Sequence, residues 1–122
     1  MELIDTHAHI YLKEFNNDRK EVITGAINSS VSKIFLPNID KSTLSQVVNL
    51  EAEYPSLCYA MIGLHPCSVD ADFEQELKTM EEWLGKRPFS GIGETGTDLY
   101  WDQSFRSQQI ESLKIQVNWA ET

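Results

Sequence analysis

Cysteine is scarce in this sequence. The 122 residues hold two, Cys58 and Cys67, too few for a disulfide framework. They form no Cys-x-x-Cys pair, so both are expected as reduced thiols. No apolar run approaches the ~20 residues a membrane helix needs, and no membrane partner is expected. The opening Met1-Glu2-Leu3-Ile4-Asp5 lacks the basic and long apolar regions of a secretion signal; the expected location is cytoplasmic. Low-complexity segments, linkers and internal domain boundaries are also missing. Basic residues are few: 10 Lys and Arg stand against 19 Asp and Glu, a net charge of −9. Only Arg19-Lys20 and Lys86-Arg87 are adjacent. Grip on duplex nucleic acid needs a basic patch, so this balance argues against a broad duplex-binding surface. It leaves room for a small metal-bearing site that accepts one strand end.

What is present is an ordinary globular balance, 41% hydrophobic and 24% charged, arranged in a regular alternation. Short apolar runs read as strands at Leu3–His7, at Ile34–Leu36 within Lys33–Pro37, at Cys58–Ile62 within Leu57–His65, and at Phe89–Gly93. Between and after them lie amphipathic stretches at helical spacing. The first follows Asn16-Asn17-Asp18, the second is capped by Asp40 or Ser42, and the third opens at Asp70 or Asp72 with Gly85 as its C′ residue. The fourth is marked by Phe105, Ile110, Leu113, Val117 and Ala120. Four consecutive βα units predict an α/β fold with a parallel sheet and right-handed crossovers. An open doubly wound sheet competes with a TIM-type (βα)₈ barrel. A small flavodoxin-like domain would need a phosphate loop or a fifth strand, and neither is found. A barrel takes ~250 residues, so four units make about half of one. Residues 1–122 are therefore expected to form the N-terminal half of a barrel, an incomplete domain that stops inside its fourth helix.

The chemistry sits at the ends of those strands. In His7-Ala8-His9, alternation along a strand points both imidazoles the same way. Such a pair can hold one divalent metal; the plain alternative is two solvated or packing histidines. Asp5 shares their parity and reads as a turn or outer carboxylate rather than a direct ligand. His65, in Gly63-Leu64-His65-Pro66, is either a substrate-orienting imidazole near a metal or a loop histidine fixed by the proline. Glu94 stands in Gly91-Ile92-Gly93-Glu94-Thr95-Gly96-Thr97-Asp98, where the glycines imply close backbone approach. A strand-end glutamate can bridge two metals or simply face water. The glycine spacing is not that of a dinucleotide loop. Asp98 orients water or a basic neighbour, or starts a turn. Tyr100-Trp101 can stack a base, but covering the sheet or rim is the favoured reading. Trp83 and Trp119 read as helix-face packing residues. His7, His9, His65 and Glu94 all fall at C-terminal strand ends, the catalytic face of βα barrels, and this convergence favours a metal site.

These residues resemble the TatD-related metal-dependent hydrolases, a deoxyribonuclease family of (βα)₈ barrels. The carriers are Asp5-Thr6-His7-Ala8-His9, Gly63-Leu64-His65-Pro66 and Ile92 through Trp101, continued by Gln103, Phe105 and Gln108. The likeness covers essentially the whole chain. It departs at Thr97, where the family usually has Leu, and at Cys67, where a His or similar polar residue often stands. The resemblance implies that His7, His9 and Glu94 are metal ligands, with Glu94 bridging two divalent ions (Mg, Mn or Zn). It places His65 beside the catalytic centre without making it a clear ligand. DNA, as a single strand or strand end, is the implied substrate of phosphodiester hydrolysis. The family's remaining ligands, two histidines and an aspartate, lie on later strands beyond this chain. These 122 residues alone are thus expected to be weakly active or inactive, with ~130–140 further residues needed to complete a barrel. Two alternatives stand beside this reading. An amidohydrolase-type enzyme also opens with His-x-His, but many of those bridge their metals with a lysine on strand four, where this chain has Glu94. A non-enzymatic half-barrel would associate with itself or a partner through its uncovered edges.

Overall fold

The computed structural model describes residues 1–122. The elements run β1 (Leu3–Asp5), α1 (Arg19–Asn28), β2 (Val31–Pro37), α2 (Leu44–Glu53), β3 (Cys58–Met61), α3 (Phe73–Lys86) and α4 (Arg106–Glu121). The three strands form one sheet in the order β1-β2-β3. Both pairings are parallel, with Asp5 beside Ile34, Ile34 beside Cys58 and Leu36 beside Ala60. Each strand is followed by a helix, which is the α/β alternation of a barrel wall.

The alternating pattern decides which face is buried. Ile34 and Leu36 of β2 and Cys58 and Ala60 of β3 point to one face. There they meet Ile23 of α1 and Val47 and Leu50 of α2 in one apolar cluster. The opposite parity carries Phe35 and Tyr59, whose rings stack at 5.3 Å. A second cluster gathers Leu44, Ile62, Leu64, Val69, Phe73, Leu77 and Met80. Trp83 and Trp119 pack against this cluster from α3 and α4 as half-buried residues, the packing role read from the sequence. Neither candidate caps α2 itself: Asp40 caps the short 3-10 turn Lys41–Thr43 that leads into it, its Oδ1 accepting from the Ser42 backbone N–H at 2.9 Å, and Thr43, the residue before α2, makes no side-chain cap bond.

Several expectations need correction. β1 is only three residues long and, as the edge of the sheet, leaves Leu3 and Ile4 exposed. The fourth strand is reduced to a parallel bridge between Ile62 and Ile92. The segment still follows β3: Ser90 N–H donates to Ala60 O (2.8 Å), Ile62 N–H to Gly91 O (3.1 Å) and Gly93 N–H to Ile62 O (3.0 Å). With glycines on both sides of Ile92 and a single strand beside it, the segment forms too little ladder for a regular strand. Gly85 does not end α3 as a C′ residue; it lies inside the helix, which runs to Lys86.

The fourth helix departs most. Its apolar residues Ile110 and Val117 are 36% and 46% exposed, while Gln109, Ser112 and Gln116 are buried. The physical reason is where α4 sits. It lies against the ends of the sheet, where backbone groups have run out of ladder partners. The Leu64 N–H donates to Gln116 Oε1 at 2.8 Å, and Gln116 Nε2 reaches Leu64 O at 3.4 Å and Ser112 Oγ at 2.9 Å. Gln109 repeats the arrangement about two turns toward the N-terminus: its Oε1 accepts from Asp98 N–H (2.8 Å) and its Nε2 donates to Asp98 O (3.0 Å). Gly63 is required at this seam. A Cβ there would lie 2.6 Å from Gly93 O and 3.1 Å from Gln116 Oε1.

Candidate metal centre

Four loops deliver side chains to one end of the sheet. The chain leaving β1 stays extended because Ala8 N–H donates to Phe35 O at 3.0 Å. Asp5 Oδ1 accepts from His7 N–H at 3.0 Å, so Asp5 braces the turn, as its sequence position suggested. Beyond His9, the Arg19 guanidinium donates to the carbonyls of Ile10 (2.7 Å), Tyr11 (3.0 Å) and Leu12 (2.7 Å). One α1 side chain thus fixes three consecutive peptide groups. After β2, Asn38 is fully buried; its Oδ1 accepts from Gly63 N–H at 2.7 Å and its Nδ2 donates to Asp40 O at 3.0 Å. After β3, His65 N–H donates to Ile39 O at 2.8 Å, and Pro66 opens a short 3-10 turn to Ser68. Glu94 follows the fourth parallel segment. The loop behind it turns through Gly96, whose φ of +147° favours glycine, and is caught at Asp98 by Gln109.

His7, His9, His65 and Glu94 converge. His7 Nε2 and His9 Nε2 are 3.1 Å apart. Glu94 Oε2 lies 3.1 Å from His9 Nε2 and 3.5 Å from His7 Nε2. His65 Nε2 approaches the other carboxylate oxygen, Oε1, at 3.4 Å. A set of one ligand atom each from His7, His9 and Glu94 lies within 4.8 Å of one another. Zinc-type ligand bonds of about 2.0–2.2 Å place tetrahedral donor atoms roughly 3–3.5 Å apart, which matches these separations. Glu94 Oε2 is buried without a hydrogen-bond partner. An orphaned carboxylate oxygen facing two imidazole nitrogens is costly unless a cation joins them. The residues present therefore fit a divalent metal. Burial is the first cause that pushes the His9 pKa below the usual imidazole range, and the His7 and His65 charges add to it against the opposing pull of Glu94. A neutral imidazole is the form a metal binds.

The other sequence candidates lie around this cluster. Cys67 is exposed and donates its thiol to Asp98 Oδ2 at 3.3 Å. Asp98 also accepts from Tyr100 N–H at 3.0 Å. These two hydrogen bonds, Tyr100's first, hold the Asp98 carboxyl below its ordinary pKa. Cys58 is buried in the apolar cluster, which raises its thiol pKa to about 11. Neither cysteine is in a disulfide. Tyr100 and Trp101 meet edge to face at 4.7 Å and are 83% and 80% exposed, so they do not cover the sheet as the sequence reading favoured. Arg87, beside the fourth strand, is committed to Glu51 at 2.5 Å and to the Phe89 ring at 4.6 Å.

Sequence reasoning missed Tyr11, Arg19, Asn38, Gln109 and Gln116. Only Tyr11 left a usable signal, since it continues the two-residue spacing of His7 and His9. Its hydroxyl donates to Pro37 O at 2.6 Å and lies 2.8 Å from His9 Nδ1. Of the two neighbouring glutamines before the helix centre, the structure buries Gln109, not the Gln108 singled out from the sequence.

Comparison with known proteins gives a consistent picture. Residues 4–122 match the family described as TatD related DNase. The uncharacterized metal-dependent hydrolase YabD of Bacillus subtilis is 32% identical over 115 residues, 94% of this chain and 45% of that protein. The 3′-5′ ssDNA/RNA exonuclease TatD of Dickeya dadantii is 23% identical over 115 residues, 94% of this chain and 44% of that protein. Among solved structures, the TatD homolog YjjV of Escherichia coli superposes with a TM-score of 0.84 and 29% identity, over 95% of this chain and 45% of that one. The chain thus spans somewhat under half the length of the relatives it matches.

Proposed function

The chain belongs to the TatD related DNase family, and on that premise we propose that it supplies the first half of a metal-dependent phosphodiesterase centre acting on DNA. The observation that carries this is the orphaned Glu94 Oε2 set between the Nε2 atoms of His7 and His9. In this reading those three residues would be metal ligands, with Glu94 shared between two divalent ions (Mg, Mn or Zn) in the complete centre. A bound divalent ion lowers the pKa of water and offsets the charge that develops on a phosphate under attack. The remaining work falls to the chain's own groups. Asp5 and Arg19 hold the His7–Leu12 loop so that both imidazoles keep one heading. His65 holds the Oε1 side of Glu94. Asp98 orders the loop behind Glu94.

A single strand or strand end is the favoured substrate. The net charge of −9 and scattered basic residues suit a local site better than a duplex-gripping surface, and the relative from Dickeya dadantii is named an ssDNA/RNA exonuclease. No helix is long and apolar enough to cross a membrane, and we place the protein in the cytoplasm. Because these residues span under half of the relatives' length, the centre is completed by ligands from outside them. Residues 1–122 alone would turn over weakly or not at all, and would associate through the open β1 edge.

The test is hydrolysis of end-labelled single-stranded DNA by the intact protein with Mn²⁺. Glu94→Gln should lower kcat by at least about a hundredfold, beyond the 10–100-fold typical of outer partners of a metal ligand. Wild-type rates in that variant, or undiminished hydrolysis in a chelator, would overturn the proposal.

A further inference from the structure

We infer that Tyr11 is a positioning residue that sets the tautomer of His9, and that the chain imposes opposite tautomers on His9 and His65, two of the three imidazoles that meet Glu94. Tyr11 is buried, and its hydroxyl has one proton to give. The Pro37 carbonyl can only accept, and at 2.6 Å it takes that proton. His9 Nδ1, 2.8 Å from the same oxygen, must then be the donor. A neutral imidazole carries one N–H, so His9 Nε2 is left with a lone pair. That lone pair faces Glu94 Oε2 and His7 Nε2, both at 3.1 Å.

His65 is wired the other way. The backbone N–H of Cys67 donates to His65 Nδ1 at 3.0 Å, so Nδ1 is the acceptor and the proton sits on Nε2. That N–H lies 3.4 Å from Glu94 Oε1. One carboxylate therefore meets a lone pair on its Oε2 side and an N–H on its Oε1 side. Deepening the metal-centre reading on which it rests, this assigns His9 Nε2 as a ligand atom. It assigns His65 Nε2 as a donor, to Glu94 or to an incoming phosphate oxygen. Outer hydrogen bonds of this kind fix tautomer and ring heading in metal sites. Tyr11 does so here with its backbone pinned by Arg19 and its ring edge-on to His9 at 5.6 Å.

Long-range ¹H–¹⁵N correlation of the imidazoles tests this in the intact, metal-free protein at about pH 8, above the ordinary histidine range. His9 should carry its proton on Nδ1 and His65 on Nε2. In Tyr11→Phe, His9 should lose its single tautomer and His65 should keep its own. Calorimetry with Mn²⁺ alone should then show affinity lower by about tenfold or more. A wild-type His9 protonated on Nε2 overturns the inference, with no variant required. So does a Tyr11→Phe protein with the wild-type tautomer and Mn²⁺ affinity. If the wild-type protein binds no Mn²⁺, the metal reading fails, while the His9 tautomer still decides this inference.

Discussion

The first three βα units and the fourth are held together by different chemistry. In the first three, β2 and β3 turn Ile34, Leu36, Cys58 and Ala60 toward Ile23, Val47 and Leu50, and burial of apolar surface is the bond. In the fourth, a glycine-rich segment makes one bridge to β3, half-buried Ile92, Phe105, Ile115 and Trp119 lean on the second apolar cluster, and the buried contacts of α4 are those of two glutamines that grip the backbone at Leu64 and Asp98. The apolar units set a rigid wall. The polar one sets the loops that carry His65 and Glu94, where a side chain must be placed by direction rather than by volume. Hydrogen bonds are directional and apolar contacts are not, so each half of the fold uses the force suited to its task.

The apolar wall carries the heaviest burden of stability. Leu36→Ala removes a fully buried side chain and should cost about 2–5 kcal/mol, read as a lower urea midpoint with an unchanged slope. A cost below about 1 kcal/mol would mean that the wall is not the main source of stability.

This division also explains what was legible in advance. Apolar periodicity reports burial, so the strands at Ile34–Leu36 and Cys58–Ile62 and the helices behind them were readable as strings of residue types. His7, His9, His65 and Glu94 were readable because each falls where a strand was expected to end, and in the structure each lies a few residues beyond β1, β3 or the Ile92 bridge. The α4 interface was not, since periodicity scores Gln109, Ser112 and Gln116 as a solvent face and Ile110 and Val117 as core. Nothing in the sequence says that a helix will meet the unpaired ends of a sheet, and that meeting is what makes amides the better choice. The spacing marks Tyr11 but not its role, for a related reason: that role depends on Pro37 O, which lies 26 positions away in sequence.

Gln116→Leu separates the two regimes directly. Leu is similar in size and would suit an apolar interface, where the change should be neutral or stabilising. Here it strips partners from the Leu64 N–H and C=O and from Ser112 in a buried setting. The expected loss is about 1–3 kcal/mol, smaller than for Leu36→Ala if the wall dominates. Amide exchange should quicken at Leu64 and His65 before it does in β2. Unchanged exchange at those two amides would show that the glutamine clamp does not hold the loop.

The smallest effect lies at the seam between the regions, at the end of α3. Read from the sequence, Gly85 is a C′ residue, a position that favours positive φ. Replacing it with Ala would then destabilise, because a Cβ is strained there. In the structure Gly85 is within the helix, has no positive φ, and an added Cβ meets nothing within 4 Å. Ala is the better helix former by up to about 1 kcal/mol in a helix interior, and less in a last turn. Gly85→Ala should therefore stabilise by about 0.5 kcal/mol, seen as a small rise in Tm with metal binding unchanged. A fall in Tm would restore the C′ role and shorten α3. The chain would then have to turn toward the fourth segment three residues earlier, with Leu84 as the cap in place of Arg87, which now caps the helix while its side chain holds Glu51.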